Sequence, residues 1–441
     1  MSIGTAFNPV KLRAIARETG FLQRESKLKP DEFIDMLMFS WFDHSQVSLQ
    51  EFCNDFIQQH QKPLTKAALQ KRFNPATQNF LKAVLAEQIT SKMNLSVADG
   101  KWDSFSSVLV ADSCKFSLPV LYKQDYPSYK SFGNVSSIMN LQYAFDLKSG
   151  DWENLEFTKA TQNDQSHSNK TVDNIKKDEL HVRDLGFVTM TYLEKVVEKK
   201  AFFLNRLHPQ WKPVQHSNGK KIDWKALYKS MEDSGNSHFE TMVTIGKGKN
   251  AFDCRLIAAP VPEQVWAERI RKAQKKAKSQ SVNLSDEYKA RCRFSIFITN
   301  TEQKTLKAAD VIQLYHLRWQ IELIFKSWKS LLGIHKVKAV KKERMECQLV
   351  ARFIWILLNW KIFQCIDAFV QKHSPDYACS FWKFFKQARL YNYALRQVTA
   401  ASMNFRDWCQ IFLLPIIKYL LIEPKKNKKP GYMIVNDIFK P

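Results

Sequence analysis

Tyr315, Arg318, Glu322 and Lys329 stand at offsets 0, 3, 7 and 14 within one apolar-periodic segment. At about 100° per residue they fall within an arc of about 60° around a helix. Leu317, Ile321, Ile324, Trp328 and Leu331 fall between about 160° and 240°, well round on the other side. Such a helix packs one face into a core and presents a phenol, a carboxylate and two cations elsewhere. A carboxylate suits a hard metal ion, and the cations suit phosphate oxygens. The plain alternative is a solvated face carrying an Arg318–Glu322 ion pair at i, i+4.

Two aspartates weigh against that alternative. Asp112 ends the apolar run Val108-Leu109-Val110-Ala111, and Asp184 follows Leu180-His181-Val182-Arg183. Each is expected at the end of a short strand, where α/β folds build sites. A turn aspartate is also at home there. Mg²⁺ takes oxygen ligands in near-octahedral geometry, and two such ions can clamp the attacking and leaving oxygens of a displacement at phosphorus. Three carboxylates crowded together repel unless cations neutralise them. Asp112, Asp184 and Glu322 therefore point to metal-dependent phosphoryl transfer, with Arg318 and Lys329 beside the phosphates.

The elements that must position these residues follow from the periodicity. Residues 1–95 read as helical, with runs opening at Asp31 and Ser48 and a short helix over 65–73 that Thr65 can cap. Lys66, Lys71 and Arg72 lie on that short helix, in a pair of helices that fits a helix-turn-helix entering a major groove. A helical hairpin of purely structural use fits as well. From about 105 the pattern alternates. Strands are expected over 106–111, 139–147, around Leu155 and Phe157, 180–183 and 201–207, with helices over 170–178 and 189–199. This is a mixed α/β pattern with an antiparallel edge. Residues 208–292 read as an insertion, with strands over 240–245 and 253–259 and a basic helix over 263–278. A strand over 293–299 and one long helix over 307–332 resume the pattern.

The bulk composition agrees with this chemistry. The chain has 441 residues, with 67 Lys plus Arg against 43 Asp plus Glu, a formal charge of +24. An excess of that size points to a polyanionic partner, and nucleic acid fits best. Eight cysteines without a C-x-x-C spacing argue against a zinc module or a disulfide scaffold and read as reduced, buried thiols. The most apolar stretch, 349–370, contains Arg352, Asn359, Lys361 and Asp367, so a core helix is expected there and not a membrane span. No signal-peptide pattern opens the chain, and a cytoplasmic protein is expected.

Asp112 in Val-Ala-Asp-Ser, Asp184 in Arg-Asp-Leu-Gly-Phe and Tyr-x₂-Arg-x₃-Glu-x₆-Lys around Glu322 resemble the DDE transposases of the insertion sequence 4 family. The resemblance spans about 105–335. It implies an RNase H-like catalytic core broken by a β-rich insertion, with helical N- and C-terminal regions. It implies that Asp112, Asp184 and Glu322 are catalytic and hold two Mg²⁺ ions, with Mn²⁺ able to substitute. It further implies that Tyr315, Arg318 and Lys329 grip DNA near the cut. The expected cycle is cut-and-paste: strand cleavage, a hairpin on the transposon end, its opening, and strand transfer. The partners implied are double-stranded DNA, as transposon ends and target, and a second copy in a homodimer. No membrane and no small-molecule cofactor are expected.

The expected division is 1–95 for DNA-end binding, 96–207 for the first part of the core, 208–292 for the insertion, 293–375 for the second part with the glutamate helix, and 376–441 for a dimer contact. Lys66, Lys71 and Arg72 are the expected end-binding cations. A flipped base needs an aromatic platform in the insertion, but Trp211, Trp224 and Phe294 read no better than core residues. Asn134 and Arg206 sit near strand termini, where they suit support of the site or plain turn and surface roles. Two rival readings remain: a metal-dependent endonuclease that never joins strands, and an inactive DNA-end-binding regulator.

Overall fold

A computed structural model describes residues 7–40, 47–91, 104–129, 137–246, 248, 251–374 and 376–423. Five helices come first: α1 (Pro9–Glu18), α2 (Pro30–Phe39), α3 (Leu49–His60), α4 (Lys66–Arg72) and α5 (Pro75–Thr90). Local chemistry starts them. Ser48 and Glu51 form a reciprocal capping box on α3, and Thr65 Oγ1 accepts from Ala68 N at 3.2 Å on α4.

The central part alternates strands and helices: β1 (Ser107–Leu118), β2 (Ser137–Asp146), β3 (Trp152–Lys159), α6 (Asp164–Thr171), β4 (Glu179–Arg183), α7 (Met190–Glu198) and β5 (Phe202–Arg206). Then come β6 (Val214–Gln215), α8 (Trp224–Ser234), β7 (Phe239–Ile245), β8 (Phe252–Pro260), α9 (Glu263–Ser279), α10 (Asp286–Arg291) and β9 (Phe294–Thr299). Helices α11 (Ala308–Leu317), α12 (Gln320–Ser330), α13 (Lys342–His373), α14 (Phe381–Ala388), α15 (Asn392–Thr399) and α16 (Phe405–Trp408) follow.

Among the described residues, nine strands form one mixed sheet in the order β3-β2-β1-β4-β5-β9-β8-β7-β6. β1, β2 and β3 make an antiparallel meander, while β1, β4 and β5 run parallel. Beyond β5 every pairing is antiparallel. The strands expected within 208–292 thus extend the same sheet, joined to it through β9. α8 and the short β6 lie in that stretch too, where the sequence pattern gave no clear sign of them.

Three expectations need correction. The run ending at Asp112 is not a short strand, because β1 continues six residues past it to Leu118. The reason is the change of neighbours. β4 accompanies β1 only as far as Ala111, but β2 pairs with it from Leu109 to Leu118 and carries it onward. The single long helix expected over 307–332 is divided into α11 and α12. At the division Arg318 N donates to Tyr315 O at 3.2 Å and Trp319 N to His316 O at 3.1 Å. These i→i−3 bonds tighten the chain into a 3₁₀-type turn. The helical stretch expected over 170–178 also lies earlier, as α6 and a 3₁₀ turn at Val172–Asn174.

α13 is the one helix among the described residues long and apolar enough to cross a membrane, and 89% of its most apolar stretch is buried inside the protein. Its buried Lys361 is satisfied within the fold: Lys361 Nζ donates to Gln88 O at 2.7 Å and to Ser91 O at 2.9 Å. Phe33, Phe80 and Leu81 of the N-terminal helices share one hydrophobic core with Trp328 of α12 and Trp355 of α13. A second core lies around α7, α8 and strands β5, β7, β8 and β9. All eight cysteines are free thiols, five of them buried. Asn134 lies outside the described residues, as do residues 424–441 of the C-terminal region.

Candidate active site

Strand register brings the two aspartates together. Ala111 of β1 is the parallel partner of Arg183 of β4, so Asp112 and Asp184 occupy the next position on neighbouring strands. Asp184 lies one residue past the end of β4. Asn205 of β5, wholly buried, steadies that end by donating from Nδ2 to Arg183 O at 2.9 Å.

Aromatic packing brings the glutamate. Trp328 of α12 is fully buried, with ring centroids 4.9 Å from Tyr143, 5.2 Å from Trp152 and 5.2 Å from Phe353. Large aromatic surfaces of this kind fix a helix against a sheet. Lys329 Nζ donates to Lys115 O at 2.9 Å and pins the same helix to β1. Glu322, two turns earlier on α12, then faces Asp112.

Arg318 sits at the centre. Its Nη1 is 3.0 Å from Asp112 Oδ2, and its Nη2 is 3.2 Å from Glu322 Oε1 and 3.7 Å from Asp184 Oδ1. Its side chain is 12% exposed. Burial opposes its charge, but Asp184, Tyr315, Asp112 and Glu322 around it hold its pKa above the ordinary value. The Tyr315 hydroxyl donates to Asp184 Oδ1 at 3.4 Å, and its ring packs 5.1 Å from Phe297. Tyr315 is thus buried and no part of a solvated stripe. Burial pushes the Asp112 carboxyl up to about 6. Asp184 and Glu322 push the same way, against the Ser113 amide and Arg318.

Three carboxylates converge on one positive charge, and each of the three offers oxygen donors. That donor set fits a hard divalent cation. Among the described residues no three His, Cys, Asp or Glu side chains close on a common point. The guanidinium holds the carboxylates at its own reach.

A cavity of about 660 Å³ opens beside Asp112 and Glu322. Its other wall carries Lys115, Lys326, Lys329 and His335. The sequence reading missed Lys115, Lys326 and His335 as neighbours of the site. Lys326 follows Glu322 by one helical turn and was open to that inference. Lys115 was not, because β1 was expected to end at Asp112.

The remaining expected residues lie elsewhere. Lys66 and Lys71 are exposed on α4, which packs against α3. Arg72 is half-buried, bonded to Ser26 and set 5.5 Å over the Phe21 ring, so it belongs to the helical core. On α9, Arg271, Lys272, Lys275, Lys276 and Lys278 are exposed, whereas Arg269 is tied to Cys292 O and Phe294 O. Trp224 and Phe294 are buried in the second core, and Trp211 packs against it.

Residues 103–358, more than half of the chain, match the Transposase DDE domain family. The transposase for insertion sequence element IS231C of Bacillus thuringiensis subsp. berliner is 24% identical over 386 residues, covering 83% of this chain and 80% of that protein. The transposase for insertion sequence element IS1151 of Clostridium perfringens is 27% identical over 375 residues, covering 81% and 79%. The putative transposase InsL for insertion sequence element IS186A of Escherichia coli (strain K12) is 26% identical over 203 residues, covering 44% and 52%.

Proposed function

This chain belongs to the DDE transposase domain family, and on that premise we propose that it cuts an insertion sequence from DNA and joins it to a target through Asp112, Asp184 and Glu322. The observation that carries this reading is the convergence of those three carboxylates on Arg318 within 3.7 Å. The strand order β3-β2-β1-β4-β5, antiparallel then parallel, supports an RNase H-like core, with 208–292 as the insertion before the glutamate helix.

Asp112, Asp184 and Glu322 would hold two Mg²⁺ ions, for which Mn²⁺ can substitute. When bound, these ions activate the attacking oxygen and neutralise the leaving one. Tyr315 steadies Asp184 through its hydroxyl. Arg318 and Lys329 grip phosphate oxygens near the cut, Arg318 with a planar fork and Lys329 as a point charge. Water cleaves one strand at each end and frees a 3′-OH. The 3′-OH attacks the opposite strand to form a hairpin, a second water opens it, and the 3′-OH then joins target DNA.

Residues 1–95 bind the transposon ends, with Lys66 and Lys71 the exposed cations of α4 and Arg72 acting through its packing. The 376–441 region serves as a contact between two copies on paired ends. Exposed Trp382, Leu390, Tyr393, Ile411, Leu414 and Tyr419 support that role.

The test is cleavage of a DNA fragment carrying the element's own ends, with Mg²⁺, by the native chain and by Glu322→Ala. Cleaved, hairpin and joined products from the native chain alone are expected. Cleavage without joining would turn the reading to an endonuclease. Equal cleavage by both proteins would remove Glu322 from the chemistry.

A further inference from the structure

The counter-ion of the three carboxylates comes from the chain itself. The two terminal nitrogens of Arg318 are committed to Asp112, Glu322 and Asp184 at 3.0, 3.2 and 3.7 Å. Its Nε finds no partner among the described residues. A magnesium-sized ion binds such oxygens at about 2.0–2.1 Å. It would occupy the space in which the guanidinium now lies, and two cations held by the same oxygens repel strongly in a partly buried setting.

We infer that Arg318 is the internal competitor of the metal, holding the carboxylates together until a divalent cation displaces it onto a DNA phosphate. The inference rests on the metal-centre reading of Asp112, Asp184 and Glu322 given above. Its position at the 3₁₀-type turn between α11 and α12 suits the exchange. The side chain leaves the carboxylates without either helix moving, since α11 is anchored by Tyr315 on Phe297 and α12 by Trp328. A phosphate that accepts the freed fork removes the competitor, so DNA and metal each tighten the binding of the other. Arg318 thereby keeps the centre from charging fully with metal before a DNA strand lies beside it.

The test is Mn²⁺ titration of the full chain without DNA, followed by the paramagnetic resonance signal of free Mn²⁺. Arg318→Gln is expected to bind Mn²⁺ at least about ten-fold more tightly than the native chain. Arg318→Met, equally neutral and with a similar stem, should do the same and carries the test if the first variant does not fold. Arg318→Lys, which keeps the charge and loses the fork, should fall between. A duplex carrying the element's end should tighten Mn²⁺ binding more in the native chain than in Arg318→Gln. Equal or weaker Mn²⁺ binding by the neutral variants overturns the inference. Failure of the underlying reading looks different: Glu322→Gln would then leave Mn²⁺ binding unchanged in the native and the Arg318→Gln backgrounds alike.

Discussion

Asp112 is held, largely buried, in a crowded cluster of carboxylates. Its side chain is 18% exposed, with Asp184 and Glu322 as neighbours and one guanidinium shared among the three. Like charges gathered in this way cost stability unless a cation repays it, a usual tension between function and fold. Asp112→Asn is expected to raise the thermal unfolding midpoint in divalent-free buffer, by about 1 kcal/mol of stability. Added Mg²⁺ should narrow the gap by stabilising only the native protein. A lower midpoint for the variant would contradict this. The sequence made Glu322, Arg318 and Lys329 legible because a helical period is visible in a single chain. It hid Lys115 and His335, whose nearness to the site depends on how far β1 runs and where the chain returns after α12.

At the scale of elements, alternation marked β2, while β4 and β5 were legible as short apolar runs, and β4 is buried at every residue. The length of β1 was not legible, because pairing with β2 sets it and pairing is not a local property. The division of α11 from α12 escaped for a related reason: neither Pro nor Gly marks it, and four i→i−3 bonds do the work. β4 also carries a titrating group apart from the centre. His181 is buried, with Nε2 3.1 Å from Glu179 Oε2, and burial holds its pKa below the ordinary 6.5 despite that partner. An unfolded chain therefore takes up a proton near pH 6.5 that the folded one resists, and stability falls as pH drops through that range. Urea midpoints at about pH 7.5 and about pH 5.5 should fall further for the native chain than for His181→Gln. An equal fall would show that the imidazole is not the cause. Arg396 of α15 binds Asp35 of α2 at 2.9 Å and Asp55 of α3 at 2.8 Å. Arg396→Ala removes the arginine from two carboxylates, leaving Asp35 beside His60 and Asp55 bonded to Ser40, and should cost about 3 kcal/mol in urea unfolding. A loss within the error of the midpoint would mean that the fork contributes little.

For the whole molecule, one core runs from the N-terminal helices through α12 and α13 to α15. The helices expected to read DNA ends and the helix carrying Glu322 thus share a single packed body, which the charge pattern alone could not reveal. The +24 charge was legible at once and speaks to the partner more than to the fold. If the exposed cations of α4, α9 and the cavity wall together meet several phosphates, duplex affinity should fall by about 1,000-fold or more between about 50 and 200 mM salt. A shallow dependence, worth one or two phosphates, would contradict that surface. The most direct test of the central claim is Mg²⁺-dependent cleavage of an end fragment by Asp112→Asn, Asp184→Asn and Glu322→Gln beside the native chain. Each variant keeps its shape and loses one charge, and each is expected to cleave at least about 100-fold more slowly. Near-native cleavage by any one of the three would contradict a centre built on all of them.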